Sequence, residues 1–382
     1  MDNMSHLRVH ENKEQVDDTF NMDLPDIPEP TEAVSTEIND EHPVGFKFGF
    51  IGSGQGGSRI AETFYKLGYR RVCVVNTAEQ DLATIDVPNK LKLGTAQGAG
   101  KDRSVAKQVT IQHKEDIEDL FRRSFGKDID RIFVTVGAGG GTGAGSAAEL
   151  VKFAAEYQET VKAQSKQVGV IVALPKISEG KKPNANAYET LKELTALVES
   201  GVVSPLIVLD NEKINTIYPK LSVNQFWGTS NSSICTLFNL FNNIVTKNSN
   251  FTTFDAKDYK TILDSGIIVF GATQIKSWSD GTQISKALRE NLNRNILSGG
   301  LDISTGTAAS AIIIGDENTL NDIPQEYLDN AFDQLNRMLK TNSTVHQGIY
   351  KGTKPGISIF TAIGGIATPT AKLEELKKLG GV

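Results

Sequence analysis

The chain has 382 residues, 39% hydrophobic and 23% charged, the composition of an ordinary globule and enough length for one large or two medium domains. Its formal charge of −6 is concentrated in Met1–Val44, where about a dozen acidic residues stand against Arg8 and Lys13, so the mildly basic remainder gives no reason to expect nucleic-acid binding. Two cysteines without metal-ligand spacing, Cys73 and Cys235, fit a reducing cytoplasm, and the apolar runs Val168–Leu174 and Gly266–Ala272 are far shorter than the roughly 20 residues of a membrane span.

Residues 1–44, with Pro25, Pro28, Pro30 and Pro43, have neither helical nor alternating periodicity and read as an acidic disordered arm that serves solubility or docks a basic partner. Its removal through Pro43 is expected to leave the fold intact. From Gly45 the pattern changes to a strand at Phe46–Ile51, a glycine loop at Gly52–Ser58 and a helix at Arg59–Leu67. Taken alone this is a weak dinucleotide fingerprint, and the next strand, Arg71–Asn76, ends in Asn76 where nicotinamide binders carry an acid for the ribose. The polar segment Asn76–Leu82 follows that strand directly, at the position where α/β sheets carry ligand contacts. A third glycine loop, Gly94–Gly100, contains Gly98-Ala99-Gly100-Lys101-Asp102; it is not a P-loop, because Thr95 and Asp102 occupy its diagnostic positions. Ser104–Phe125 then reads as one long helix with Ile117, Leu120, Phe121 and Phe125 at core spacing.

The centre of the chain is GAGGGTGAGS, Gly137–Ser146, between a buried strand at Arg131–Val136 and a helix at Ser146–Val161. Bare backbone N–H groups at a helix N-terminus form an anion site, and the Thr142 hydroxyl adds a donor, so phosphate is the expected ligand. A strand at Val168–Leu174, a charged loop at Pro175–Pro183, a helix at Asn184–Val198 and a strand at Pro205–Leu209 closed by Asp210-Asn211 continue the alternation. The expected fold is α/β, with a doubly wound parallel sheet over 45–222 and its glycine loops gathered at the strands' carboxyl ends.

Val223–Lys247 reads as a long helix whose apolar face is Ile234, Leu237, Phe238, Phe241 and Ile244, with a polar start from Gly228 to Ser233 that helix propensity disfavours. Asp255 and Asp258 bracket the start of a helix at Lys257–Leu263, and Asp255 taken alone reads as an N-cap. The remainder, 248–370, reads as a smaller α+β domain, with strands at Gly266–Ala272, Ala308–Ile314 and Ile357–Ile363 and helices at Ile284–Leu297 and Pro324–Leu339. Residues 371–382 read as a short Lys/Glu tail with a helical turn or two.

The central loop resembles the tubulin/FtsZ superfamily of polymerising GTPases, whose signature GGGTG plus a small residue and glycine is matched by Gly139–Gly145. Six further segments agree in order: Gly52–Ser58, VNTAEQDL at Val75–Leu82, GAG at Gly98, Glu179-Gly180, Asn211 and FDAKDYKTIL at Phe254–Leu263. The resemblance implies a tubulin/FtsZ-like fold in which Val223–Lys247 links the two domains. It implies GTP and GDP as ligands, with magnesium held mainly by the phosphates. Phosphate contacts would come from Gly54, Gln55, Gly56, Gly57, Ser58, from Gly98, Ala99, Gly100, and from Gly139, Gly140, Gly141, Thr142, Gly143. Asn76 falls within the matching VNTAEQDL segment of the site, Glu179 matches a ribose contact, Asn211 and Asn231 match guanine contacts, and Phe226 matches a residue near the base.

Asp255 and Asp258 match the catalytic loop that reaches the nucleotide of the next subunit, so the implied partner is a second copy of the chain in a head-to-tail filament. The alternatives are a nucleotide-binding structural protein of the same fold without hydrolysis, and a nicotinamide-dependent oxidoreductase, which Asn76 and the extra glycine loops disfavour. Pro183 stands where many bacterial members have an Arg, leaving Lys181 or Lys182 to serve, and Thr253 stands where Asn is common. Neither terminus looks like the family's membrane-adaptor peptide.

Overall fold

Strands rich in Val, Ile and Phe form the spine of a computed structural model that describes residues 38–95, 97–217, 220, 222–275, 280–294 and 301–382. β1 (Phe48–Ser53), β2 (Val72–Asn76), β3 (Asn89–Lys92), β4 (Arg131–Gly137), β5 (Val168–Leu174) and β6 (Val203–Asp210) are all parallel, in the order β3-β2-β1-β4-β5-β6. β7 (Ile267–Ile275) joins β6 through Leu206 opposite Ile267 and Ile207 opposite Ile268. β8 (Ala308–Gly315), β9 (Thr344–Lys351) and β10 (Ile357–Ile366) complete the order β7-β10-β8-β9, with β10 antiparallel to both its neighbours. One ten-stranded sheet therefore runs through both regions expected as domains.

Helices cover both faces, as a parallel sheet buried on two sides requires. In chain order they are α1 (Gly54–Lys66), α2 (Glu79–Ala83), α3 (Arg103–Gln112), α4 (Lys114–Phe125), α5 (Thr142–Val161), α6 (Lys181–Glu199), α7 (Asn211–Ile217), α8 (Val223–Ile244), α9 (Ala256–Leu263), α10 (Gly281–Arg294), α11 (Glu317–Asp322), α12 (Gln325–Met338) and α13 (Thr370–Gly380). One core takes Phe121, Val151, Leu191, Leu288, Phe332 and Leu376 from α4, α5, α6, α10, α12 and α13. The other takes Phe64, Phe238, Phe241 and Ile262 from α1, α8 and α9. The expected apolar face of α8 is buried as read, and it spans the junction: the Phe238 ring lies 5.0 Å from Phe133 of β4, and the Phe241 ring 5.4 Å from Phe270 of β7.

Several expectations need correction. The single helix expected over Ser104–Phe125 is two, because His113 leaves helical geometry (φ −97°, ψ 23°), accepting the Gly94 N–H at Nε2 and lying 2.7 Å from Asp116 at Nδ1. The half-exposed strands β3 and β9, edge strands with a weak alternating pattern, and the short helix α7 were not expected. The helix expected at Ile284–Leu297 is described as far as Arg294; 295–297 lie outside the described residues.

Both termini differ from expectation. Residues 1–37 of the arm lie outside the described residues, but 38–44 dock on the body. Asp40 is buried against the equally buried Arg71 guanidinium at 3.2 Å and accepts the Arg70 N–H at 2.8 Å, while the Glu41 N–H donates to the Gly68 carbonyl. Burial raises the Asp40 pKa more than the Arg70 amide and Arg71 lower it. The arm's last residues thus belong to the fold, and removal through Pro43 strips a buried ion pair. The tail expected at 371–382 is the helix α13, which buries Leu376 and Lys372 and packs on α6.

Candidate functional site

The segments expected as glycine loops are chiefly helix starts. α1 begins at Gly54 and α5 at Thr142, each directly after a buried parallel strand or its turn, so their free N–H groups converge at the carboxyl edge of β1 and β4. Gly54 has φ +67°, a left-handed conformation that glycine adopts without strain. Most of these glycines are required by close packing of protein on protein. A Cβ on Gly57 would lie 2.0 Å from the Thr135 carbonyl, one on Gly54 2.9 Å from the Gly143 nitrogen, and one on Gly141 2.8 Å from the Ala99 Cβ. The two glycine segments and the Gly98–Asp102 turn are clamped to one another, and only beside Gly140 and Gly100 is there open space.

Side chains complete the clamp. Thr142 Oγ1 shares a 2.7 Å hydrogen bond with Thr77 Oγ1, bringing the segment after β2 against the start of α5. Asn76, buried beside it, donates to Asp81 and accepts the Ala78 N–H. Asp102 caps α3 by accepting the Ser104 and Val105 N–H groups, which, with Lys182 nearby, hold its carboxyl below the ordinary range. Gln55 is exposed, and the Ser58 hydroxyl is buried without a hydrogen-bond partner. Sequence reasoning missed Asn186: from α6 its amide nitrogen reaches the carbonyls of Lys101 at 3.0 Å and of Gly139 and Gly140 at 3.2 Å. Asn186 thereby ties two phosphate-loop candidates to one helix, and nothing in an unremarkable α6 sequence marks it out.

Glu179 sits in a 3-10 turn, Ile177–Glu179, with its carboxylate accepting the Lys176 N–H at 2.8 Å. Lys176 in turn lies 4.9 Å from the centre of the buried Phe226 ring. Asn211, at the end of β6, accepts from Ser230 Oγ of α8 at 2.9 Å, and half-buried Asn231 follows Ser230. The polar start of α8 thus meets the end of β6, on the carboxyl edge that also carries the glycine segments. The side chains at 223–225, 227 and 229 lie outside the described residues.

Asp255 and Asp258 are elsewhere. Asp255 caps α9, accepting the Asp258 N–H at 2.9 Å, and Asp258 reciprocates to the Asp255 N–H at 3.2 Å, so the N-cap reading of Asp255 holds. Asp258 also lies 2.7 Å from His346 Nδ1 on β9. The far end of α9 is fixed where β4 begins: Arg131 donates to the Leu263 carbonyl at 2.9 Å and pairs with Asp264. Asp258 lies beside His346, near the start of β9, so the carboxylate pair and the glycine segments occupy opposite edges of one sheet. Among the described residues no group of three or more His, Cys, Asp or Glu could hold a metal ion, and no helix is long and apolar enough to cross a membrane.

Two family models match the chain: Tubulin/FtsZ family, GTPase domain, over residues 47–219, and Tubulin/FtsZ-like protein TubZ-like, C-terminal domain, over 241–359. The tubulin-like protein TubZ of Bacillus cereus is 27% identical over 264 residues, 63% of this chain and 58% of that protein, so the match spans little more than half the relative's length. The cell division protein FtsZ of Haloferax mediterranei is 27% identical over 271 residues, 69% of this chain and 65% of that one. Among solved structures, a GTPγS-form protofilament of Bacillus thuringiensis serovar israelensis TubZ superposes with TM-score 0.77 at 17% identity, covering 90% of this chain and 92% of that one. An empty FtsZ dimer from M. jannaschii gives 0.64 at 23% identity, covering 84% and 88%. The tubulin/FtsZ-like fold is thereby shown.

Proposed function

We propose, from the premise that the chain belongs to the tubulin/FtsZ superfamily, that it binds GTP and GDP at the carboxyl edge of β1, β4 and β6, polymerises head to tail, and hydrolyses GTP where two subunits meet. The starts of α1 and α5, with Gly140 open to a ligand and the Thr142 hydroxyl nearby, would take the phosphates. Glu179 would take the ribose, and Asn211, Asn231 and Phe226 the guanine, whose edge an amide can meet as both donor and acceptor. A magnesium ion would be held mainly by the phosphates. Lys182, close enough to Asp102 to act on its carboxyl, or Lys181 would supply the cation that Pro183 does not.

The observation that carries this reading is the separation of the parts. Asp102 caps α3, Asp81 bonds Asn76 and Glu179 the Lys176 amide, just as Asp255 and Asp258 cap α9, so the edge on which each lies is what distinguishes them. Asp255 and Asp258 are exposed to intermediate and lie on the opposite edge, where they would face a neighbour in a head-to-tail stack and not their own pocket. Deprotonating or orienting water by such a group is worth about 10²- to 10⁴-fold in rate. The relatives solved as protofilaments and as a two-stranded filament support the assembly step.

A second reading, a nucleotide-binding filament subunit without hydrolysis, is favoured by the structural duty both carboxylates already perform in capping α9. Phosphate release measured over a concentration series, with pelleting in parallel, separates the two. Turnover per subunit should rise above a threshold concentration, and Asp255→Ala or Asp258→Ala should lose it by about 10²-fold or more while still binding GTP. A Thr142→Val protein mixed with an Asp258→Ala protein should regain activity at mixed interfaces. Flat specific activity on dilution, or full turnover in the double aspartate variant, would confine catalysis to one chain.

A further inference from the structure

We propose that Lys372, on the C-terminal helix α13, is a positioning residue for the base end of the nucleotide pocket: through Asp210 it fixes Asn211 and sharpens selection of guanine. The inference rests on the reading above that Asn211 meets the base. Lys372 Nζ lies 2.7 Å from Asp210 Oδ2 and 2.6 Å from Glu375 Oε2, with the Lys372 and Asp210 side chains only 9% and 5% exposed. The other Asp210 oxygen accepts the Glu212 N–H at 3.0 Å and the Lys213 N–H at 3.4 Å. One carboxylate thus joins α13 to the first turn after β6, and the residue enclosed by that turn is Asn211, held from its far side by Ser230.

The burial gives this pair its effect. An exposed ion pair would be worth little, but a buried carboxylate deprived of its cation must find another partner or turn outward. Turning outward would release the two N–H groups and with them the rotamer of Asn211. Burial by itself would lower the Lys372 pKa, yet Asp210 and Glu375 outweigh it, so the ammonium is held in its charged form above the ordinary lysine value. The helix that carries it is seated independently. Thr368 donates to Glu199 at 2.8 Å near the end of α6, Leu376 is buried, and Gly380 lies so near the start of α6 that a Cβ there would come within 2.7 Å of the Ala185 Cα. α13 therefore runs antiparallel to α6 and delivers Lys372 from outside the parallel sheet to one of its functional strand ends.

The test compares dissociation constants for GTP, ITP and ATP on the full chain and on Lys372→Met, each by competition at equilibrium. The GTP-to-ATP affinity ratio should fall by about tenfold in the variant, within the usual range of coupling between sites. A purely structural role would lower the melting temperature and leave that ratio unchanged, and an unchanged ratio in a folded variant overturns the proposal. Should Lys372→Met fail to fold, the unaltered protein carries the test through reciprocity: GTP must slow amide hydrogen exchange in α13 more than ATP does at equal saturation. Equal protection by the two nucleotides overturns the proposal. A full chain that binds GTP and ATP alike would instead remove the guanine reading of Asn211, and this proposal with it.

Discussion

The two edges of the parallel sheet are built on opposite principles. At the carboxyl edge, the starts of α1 and α5 pack backbone on backbone, with glycine wherever a methyl group would collide, and the donors left over are main-chain N–H groups. At the amino edge, buried arginines do the joining: Arg71 holds Asp40, and Arg131 binds the Ser204 and Leu263 carbonyls at 2.9 Å and pairs with Asp264. Burial pushes the Arg131 pKa down, with Asp264 opposing, so this guanidinium is committed to its partners. Around the glycine segments the carboxyl edge is joined by main-chain packing, whereas the starts of β2 and β4 are joined by buried guanidinium groups. Substitutions should therefore separate stability from nucleotide binding according to the edge they touch.

The largest effect belongs to Arg131. Arg131 is buried, but its partner Asp264 is about a third exposed and keeps Lys260, so the cost falls on the Ser204 and Leu263 carbonyls that lose their donor, about 1–3 kcal/mol each, and Arg131→Ala should lower unfolding free energy by about 2–5 kcal/mol in urea titration. GTP affinity measured where the variant is still folded should be unchanged. A variant that kept its stability but lost nucleotide would erase the distinction between the edges. Next comes the arm. Deleting 1–37 should leave the unfolding midpoint in place, whereas deleting 1–43 removes the Asp40 and Glu41 bonds and should cost about 1–3 kcal/mol, less than Arg131→Ala because Arg71 is then uncovered to water. Equal midpoints for the two truncations would show that the docked segment adds nothing.

The sequence was legible where chemistry and periodicity coincide. The central glycine motif, the strand Val168–Leu174 and the apolar face of α8 were read nearly as they stand, since a continuous apolar run or a 3.6-residue stripe has few alternatives. Asn186 and Lys372 were not, because each acts over a sequence distance that no local pattern records: Asn186 reaches back to Lys101, and Lys372 to Asp210. His113 hides for the same reason, breaking a helix by bonding to Gly94. Asp40 lay within a stretch whose acidity suggested solvation or the docking of a basic partner, and Arg71, some thirty residues away in the same chain, buries it. The glycines were legible as places of close backbone approach but not for what approaches, since a ligand and another loop leave the same residue in the sequence.

That last ambiguity yields the finest test of the contrast between the edges. Gly140 and Gly141 are adjacent, and composition gives no ground to tell them apart. Gly141 has helical backbone angles, φ −78° and ψ −56°, so alanine there would ordinarily stabilise by about 0.4–1 kcal/mol through the unfolded state. Its methyl, however, would lie 2.8 Å from the Ala99 Cβ and 3.0 Å from the Asp102 nitrogen, and such overpacking costs about 1–3 kcal/mol. Gly141→Ala should therefore be destabilising by about 1 kcal/mol net, and should weaken GTP binding by shifting the Gly98–Asp102 turn. At Gly140 nothing lies within 4 Å of the added methyl, so the unfolded-state gain is unopposed and the nucleotide-free protein should be more stable by a few tenths of a kcal/mol, about the lower end of that range. The same methyl would stand where phosphate meets backbone, and GTP affinity should fall by about tenfold, the 1.4 kcal/mol expected for one lost backbone hydrogen bond. Thermal melts with and without GTP read both quantities at once: the two variants should move in opposite directions without nucleotide and in the same direction with it. If Gly140→Ala keeps full GTP affinity, the open space beside it is not where the phosphates lie.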